Sequence, residues 1–113
     1  MIRAACEPVR DRDKPMTESA AEQRVRAHIT VSGRVQGVGY RAFAARVATE
    51  QRLLGGVRNL DDGRVELDVE GKTVVIEALL HELKVGPPAA RVTKIETEWG
   101  AATERFSGFS IWY

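Results

Sequence analysis

Residues 33–41 combine three glycines with an arginine in a pattern that suits the binding of a phosphate-sized anion. In order, they are Gly33, Arg34, Val35, Gln36, Gly37, Val38, Gly39, Tyr40 and Arg41. Closely spaced glycines allow a tight turn in which consecutive backbone N–H groups point into one small space. A helix that follows adds its own unpaired N–H groups and the positive end of its dipole. We therefore predict an anion cradle formed by the backbone of residues 33–38 and the guanidinium of Arg41.

Other interpretations of this glycine-rich segment compete with the anion cradle. The simplest is an ordinary turn with a surface arginine, because a lone glycine motif is weak evidence of function. A nucleoside-triphosphate loop would need a Gly-Lys-Ser/Thr ending, which these residues lack. Residues 37–42 do fit the dinucleotide pattern G-x-G-x-x-A, and Asp61 follows Gly39 by 22 residues. However, Asp61 falls in a predicted hairpin turn, whereas a dinucleotide fold needs parallel crossover strands.

The glycine-rich segment lies between a predicted strand and a predicted helix. Apolar and polar side chains alternate over residues 26–31, which is typical of a half-buried strand. From Tyr40 onward, apolar residues recur every three or four positions, which predicts one buried face of a helix. We expect this helix to end near Leu53-Leu54, where Gly55-Gly56 supply a C-terminal stop.

Strands and one further helix are predicted after the first helix. The predicted strands cover residues 57–60, 64–70, 92–99 and 106–113, and the second helix lies between residues 73 and 85. Asp61-Asp62-Gly63 forms a hairpin turn between the first two of these strands. Gly71 is expected to break the second of them, and Thr73 to cap the helix that Gly86-Pro87-Pro88 ends.

This order of elements, β-α-β-β-α-β with a final strand, predicts an α+β fold. Its arrangement is the two-layer, ferredoxin-like sandwich, an antiparallel sheet with two helices on one face. We expect the other face, which carries charged residues, to look toward water. An RNA-recognition domain shares the order but presents aromatic residues on its third strand. Here that strand, residues 64–70, has no aromatic residue and is acidic, so RNA binding is disfavoured.

Composition excludes several classes of protein. Seventeen Lys and Arg against 16 Asp and Glu leave a net charge of +1 on 113 residues, which argues against a nucleic-acid or membrane partner. Neither a membrane span nor a signal peptide is evident, so we predict a cytoplasmic protein. A single cysteine, Cys6, excludes an intramolecular disulfide and a cysteine-built zinc site. The isolated His28 and His81 make a poor metal site, and we expect no metal.

Residues 1–25 differ from the remainder of the chain. They hold charges of both signs, two prolines and almost no large apolar side chain. Such a segment buries too little surface to offset the entropy of ordering. We predict a disordered tail over residues 1–25 and one folded domain over residues 26–113.

Taken together, the motifs resemble those of the acylphosphatase family. Residues 33–41 resemble its signature G-R-V-Q-G-V-x-[FY]-R, and residues 56–66, which include Asn59, resemble G-W-V-x-N-x-x-D-G-x-V-E. Residues 86–92 and 106–111 resemble the start of the family's fourth strand and its C-terminal strand. The resemblance runs from about residue 26 to the end and keeps the spacing between motifs. Four matches in order are far more specific than any one of them.

The resemblance implies hydrolysis of the carboxyl–phosphate anhydride of acyl phosphates on a ferredoxin-like fold, without a cofactor. It implies that Arg41 binds the phosphate, that Asn59 orients the attacking water, and that residues 33–38 supply backbone N–H groups. The chemistry agrees, because a carboxylate with a pKa of about 4 leaves without a general acid. No base is evident near the motifs, so we expect the phosphate of the substrate to take the proton. The expected partners are a small acyl phosphate and inorganic phosphate, as product or inhibitor, bound by a monomer.

One departure from the family pattern keeps a second hypothesis open. Gly56 stands where the family usually has tryptophan, which removes a large side chain from the strand of Asn59. We expect this change to loosen that strand or to widen the mouth of the site. A non-catalytic phosphate-binding or regulatory module on the same fold is therefore the alternative. The aromatic residues near the C-terminus are expected to pack in the core or at a sheet edge, and they are Trp99, Phe106, Phe109 and Trp112.

Overall fold

The sheet and both helices are formed within residues 23–112, which a computed structural model describes. The elements in chain order are β1 (Arg24–Arg34), α1 (Tyr40–Glu50), β2 (Leu54–Asn59), β3 (Val65–Lys72), α2 (Thr73–Val85), β4 (Arg91–Ala101) and β5 (Phe109–Ile111). The strand order across the sheet is β4-β1-β3-β2-β5. The α+β, ferredoxin-like prediction is confirmed, with one difference, since β5 pairs parallel to β2 while the other pairs are antiparallel.

The core lies between the sheet and the two helices. Alternation puts the apolar residues of β1 and β3 on one face, where Ile29 and Leu67 are inaccessible to solvent. Tyr40 and Val47 of α1 are buried, as is Leu79 of α2. The helix α1 contacts β2 and β5, while α2 contacts β3 and β4. The packed face thus holds α1 beside the strand that carries Asn59.

The end of α1 differs from the prediction. The helix stops at Glu50, because Arg52 adopts a left-handed conformation with φ 59°. The N–H groups of Arg52 and Leu53 donate to the carbonyls of Thr49 and Ala48, at 3.0 and 2.9 Å. This is the hydrogen-bond pattern of a Schellman cap, with arginine in the position that glycine usually takes. Leu54 and the two glycines that follow it are therefore free to form the first half of β2.

The starts of β1 and of α2 also differ from the prediction. Gly71 does not break β3, because Arg24 and Val25 of β1 pair with Lys72 and Gly71. Thr73 begins α2 instead of capping it, and its hydroxyl donates to the carbonyl of Gln23 at 3.2 Å. The same pairing starts β1 at Arg24, two residues before the strand that the alternating pattern predicts over residues 26–31. The remainder of the predicted tail, residues 1–22, lies outside the described residues.

The open face of the sheet is only partly exposed. Asp68 is buried and Glu70 is 0% exposed, contrary to the expectation that this face looks toward water. The predicted strand 106–113 is in fact only the three-residue β5, and the segment before it crosses the open face. There, the backbone N–H groups of Thr103 and Glu104 donate to the Glu70 carboxylate at 2.9 and 2.8 Å. These bonds replace water around a carboxylate that the alternating pattern assigned to solvent.

Candidate active site

A cavity of about 260 Å³ lies between the β1–α1 loop, the first turn of α1 and the end of β2. The residues that line it are Val35, Gly37, Gly39, Tyr40, Arg41, Ala42, Asn59 and Ile111. Its volume is below the roughly 300–1,000 Å³ of pockets that enclose drug-sized ligands. A cavity of this size suits the phosphate end of a substrate better than a large organic group.

The loop that borders the cavity turns directly into α1. Gly37 and Gly39 have φ angles of 74° and 80°, in the left-handed region that glycine enters without steric cost. Gly39 is the N-cap of α1, and its carbonyl accepts the first helical hydrogen bond, from the N–H of Phe43 at 3.0 Å. No side chain caps this helix and no acidic residue lies in its first turn. The positive end of the helix dipole therefore lies at the cavity with no acidic side chain of the first turn to neutralise it, which suits an anion.

Asn59 reaches the cavity because it lies on the helix-facing side of β2. Val57, two residues earlier, is fully buried in the core, and alternation along the strand puts Asn59 on the same side. Its amide oxygen is buried and has no hydrogen-bond partner among the described residues. An unpaired buried acceptor costs about 1–3 kcal/mol. A water molecule or a ligand in the cavity can supply the missing hydrogen bond.

Gln36 fastens the loop to the hairpin that follows β2. Its side-chain Nε2 donates to the carbonyl of Leu60 at 2.8 Å and to that of Arg64 at 2.9 Å. The two carbonyls lie on either side of the β2–β3 turn, next to Asn59. The sequence predicts a role for the backbone of Gln36 in the anion cradle, and its side chain holds the loop at a fixed position relative to Asn59.

The predicted site residues are only partly brought together. Val35, Gly37, Arg41 and Asn59 line the one cavity. In contrast, the structure pairs Gly33 and Arg34 with β4, so both belong to β1 and not to the turn. Val38 packs against the core. Of the predicted site residues, Gly33, Arg34, Gln36 and Val38 therefore do not line this cavity.

Four lining residues were not predicted as part of the site, and they are Gly39, Tyr40, Ala42 and Ile111. Tyr40 is buried, its hydroxyl donates to the carbonyl of Leu83 at 2.6 Å, and burial raises the pKa of the phenol well above its usual value. It therefore stays protonated and ties α1 to the end of α2. Ile111 enters the cavity from β5. Its position depends on the parallel pairing of Val57 with Ile111, which no local pattern reveals.

The space above Gly56 is filled from another strand. The indole of Trp112 lies so close to the Gly56 backbone that a Cβ at this position would overlap ring atoms Cε2 and Cζ2. Trp112 also packs against Phe106, with 5.9 Å between ring centroids. Of the predicted aromatic cluster, this pair confirms sheet-edge packing, whereas Trp99 is 47% exposed on β4.

A larger cavity, of about 410 Å³, lies between α2 and β4 and contains none of the predicted site residues. It is lined by Glu77, Leu80, His81, Lys84, Ile95 and Thr97.

In residues 23–112, no helix has the length and hydropathy that crossing a bilayer requires.

Comparison with known proteins matches both the motifs and the fold to the same family. The acylphosphatase family model matches residues 27–111. The acylphosphatase of Methylococcus capsulatus is 52% identical over 86 residues, which cover 76% of this chain and 94% of that protein. That of Anaeromyxobacter dehalogenans is 54% identical over 88 residues, covering 78% and 95%. The crystal structure of acylphosphatase from Bacillus subtilis aligns with a TM-score of 0.77 at 39% identity, covering 79% of this chain and 99% of that one.

Proposed function

Since the chain belongs to the acylphosphatase family and hydrolyses the carboxyl–phosphate bond of acyl phosphates, we propose that the cavity beside Arg41 is where it does so. The phosphate group lies in the cradle formed by the loop backbone and the first turn of α1. The observation that carries this proposal is that Arg41 and Asn59, 18 residues apart in sequence, line one small cavity.

Arg41 binds the phosphate in this proposal. It is the second residue of α1, so its guanidinium and the uncapped N–H groups of the helix serve the same cavity. A planar guanidinium donates two parallel hydrogen bonds to phosphate oxygens. Phosphoryl transfer depends mainly on positioning and on stabilising the charge of the three equatorial oxygens. One arginine and a ring of backbone donors supply both.

Asn59 orients the attacking water in this proposal. Its buried amide oxygen has no hydrogen-bond partner among the described residues, so it can accept a hydrogen bond from that water. The water attacks phosphorus, the bond between phosphorus and the acyl oxygen breaks, and the carboxylate leaves with the bonding electrons. A carboxylate is a weak base, so it needs no proton on departure. The products are the carboxylate and inorganic phosphate.

The proton of the attacking water passes to a phosphate oxygen of the substrate. Among the residues that line the cavity, none is Asp, Glu, His, Cys or Lys. Burial raises the pKa of the Tyr40 hydroxyl, which donates to Leu83 and so does not act as the base. A normal rate with a substrate analogue whose phosphate oxygens cannot take a proton would contradict this step.

We also propose that the protein acts as a monomer in the cytoplasm and that inorganic phosphate competes with the substrate. All eight residues that line the cavity come from one chain, so the site needs no second copy. Light scattering after size exclusion tests the monomer, and an active dimer that loses activity on dilution would contradict it.

Hydrolysis of benzoyl phosphate by two cavity variants tests the assignment of roles. We expect Arg41→Ala and Asn59→Ala each to lower kcat/KM by about 1,000-fold, the usual effect of removing a group that stabilises a transition state. Arg46→Ala is the matched control, because Arg46 is an exposed arginine on the same helix that contacts Glu50 and the Phe43 ring and does not line the cavity. Circular dichroism checks that each variant folds. Near-normal turnover by folded Arg41→Ala would move the site elsewhere.

A further inference from the structure

The indole of Trp112 lies directly on the bare backbone of Gly56. A Cβ on Gly56 would overlap Cε2 and Cζ2 of the ring, so position 56 admits no side chain while the indole stays in place. Gly56 lies between Gly55 and Val57, and alternation directs its missing side chain to the open face, away from the core. The close approach therefore requires glycine on β2 and an aromatic ring on the chain that follows β5.

Both the backbone and the ring of Trp112 are held in this position. The N–H of Trp112 donates to the carbonyl of Val57 at 2.7 Å, which extends the parallel pairing of β5 with β2. The ring packs against Phe106, and the Arg105 guanidinium lies over the Phe106 ring, 4.9 Å from its centroid. Trp112 also lines a groove of about 310 Å³ on the open face, next to Arg58. These contacts fasten a strand of only three residues to the sheet.

The contact between Trp112 and Gly56 lies directly behind the cavity. Ile111, the residue before Trp112, lines the cavity from β5, and Asn59 lines it from β2. Val57, whose carbonyl accepts the Trp112 hydrogen bond, is two residues from Asn59. A change in how β5 sits on β2 therefore moves a wall of the cavity relative to the water-orienting amide.

We propose that Trp112 is a positioning residue for acyl phosphate hydrolysis, an inference that rests on the proposed function. Its indole locks β5 onto β2 and so holds Ile111 and Asn59 in register with the phosphate cradle. From the residue that follows β5, the ring fills the space that the tryptophan of the family motif would fill from β2 if it stood in place of Gly56. The indole thus fills the space left by the absence of a side chain at Gly56. This inference replaces the expectation that the strand of Asn59 is looser or that the entrance of the cavity is wider.

An exchange of the tryptophan between the two strands tests this inference. Trp112→Ala empties the space above Gly56, and we expect kcat for benzoyl phosphate to fall about tenfold, since small misplacements of reacting groups have effects of this order. The inhibition constant of inorganic phosphate should stay within about twofold of wild type, because the cradle of Arg41 is untouched. A purely structural role would lower the melting temperature without separating kcat from phosphate binding.

Three further variants make the test of Trp112 more specific. Gly56→Ala should reduce kcat by a similar factor, because its methyl group displaces the indole. In the Trp112→Ala background, Gly56→Trp should bring kcat back to within about threefold of wild type by refilling the same space from β2. Trp99→Ala is the matched control, since Trp99 is exposed on β4 and distant from β5 in the strand order.

The inference is overturned if Trp112→Ala keeps the wild-type kcat. It is also overturned if the double variant with Gly56→Trp folds but does not recover kcat. Both results leave the proposed function intact when wild type is active. Wild type that fails to hydrolyse benzoyl phosphate contradicts the proposed function instead. In that case hydrogen exchange of the Gly55 amide still tests whether the indole holds β5 on β2, because this N–H donates to the Gly108 carbonyl at 2.9 Å. Faster exchange in Trp112→Ala supports it, and an unchanged rate overturns it.

Discussion

The open face of the sheet and the cavity beside Arg41 use polar groups in opposite ways. On the open face, charged side chains bind one another at short range. Arg26 makes two hydrogen bonds of 2.7 Å with Asp68, and His28 and Arg58 each approach Glu66 at 2.6 Å. In the cavity, polar groups are few, and the buried amide oxygen of Asn59 has no partner among the described residues.

The difference teaches that a high density of charge does not by itself mark a functional site. Burial alone would raise the pKa of Glu66, but hydrogen bonds from His28 and Arg58 outweigh it and hold that pKa below its usual value. Glu70 behaves in the same way, through the bonds that it accepts from Thr103 and Glu104. Groups satisfied in this way stabilise the fold. The buried amide oxygen of Asn59 instead lies where, in our proposal, the attacking water donates a hydrogen bond to it.

We expect the largest change, a loss of activity, from substitutions of Gln36, the residue that holds the loop near Asn59. Gln36→Glu replaces a donor to two carbonyls with a carboxylate that repels them. We expect kcat/KM for benzoyl phosphate to fall about 100-fold, because the cradle shifts relative to Asn59. Gln36→Ala, which loses the bonds without adding repulsion, should lose less. Equal and small losses in both variants would show that the loop holds its position without this side chain.

A smaller effect, on stability and not on catalysis, is expected from Glu70. Glu70→Gln weakens the buried acceptor of three hydrogen bonds, and we expect the free energy of unfolding at pH 7 to fall by about 2 kcal/mol. The folded pKa of Glu70 is lowered, so its stabilisation is present above the unfolded pKa of about 4.3 and is lost as pH falls through the folded pKa. Urea denaturation at pH 7 and at acid pH measures both effects.

The Glu70 variant also tests how separate the two regions are. Because Glu70 lies on the open face, kcat/KM of Glu70→Gln should equal that of wild type at a temperature well below melting. A loss of activity without a loss of stability would mean that the charged face takes part in the reaction.

The smallest effect is expected from Arg58, on the exposed rim of the same face. Arg58→Ala removes one of two partners of Glu66, and the carboxylate keeps His28 at 2.6 Å. Exposed ion pairs contribute about 0–1 kcal/mol, so we expect a change in the free energy of unfolding of at most about 1 kcal/mol, smaller still in high salt. Urea denaturation at two salt concentrations checks this, and a loss of several kcal/mol would assign Arg58 a structural role.

The sequence predicted those parts of the molecule that depend on local patterns. Alternation and three-to-four spacing identified the elements, and the motifs placed Arg41 and Asn59 where one cavity now contains both. The family and its reaction followed from the same motifs and are confirmed. The individual roles of Arg41 and Asn59 stay predictions.

The remaining features depend on contacts between distant segments, which a local pattern does not contain. Arg52 ends α1 in a position where glycine is common, so the two glycines after Leu54 resemble a stop signal but lie in β2. Glu70 is buried by a segment more than 30 residues further along the chain. The packing of Trp112 on Gly56 arises only when β5 pairs with β2. In each case the missing information is the topology that brings the two segments together.

The central claim is that Arg41 holds the phosphate while Asn59 orients the water in the same cavity. Competitive inhibition of benzoyl phosphate hydrolysis by inorganic phosphate, measured in wild type and in Asn59→Ala, tests it most directly. We expect Asn59→Ala to lose most of kcat while the inhibition constant of phosphate stays within about threefold of wild type, because the cradle is intact. Wild type that phosphate does not inhibit, or a loss of phosphate binding in Asn59→Ala equal to the loss in kcat, would contradict the claim.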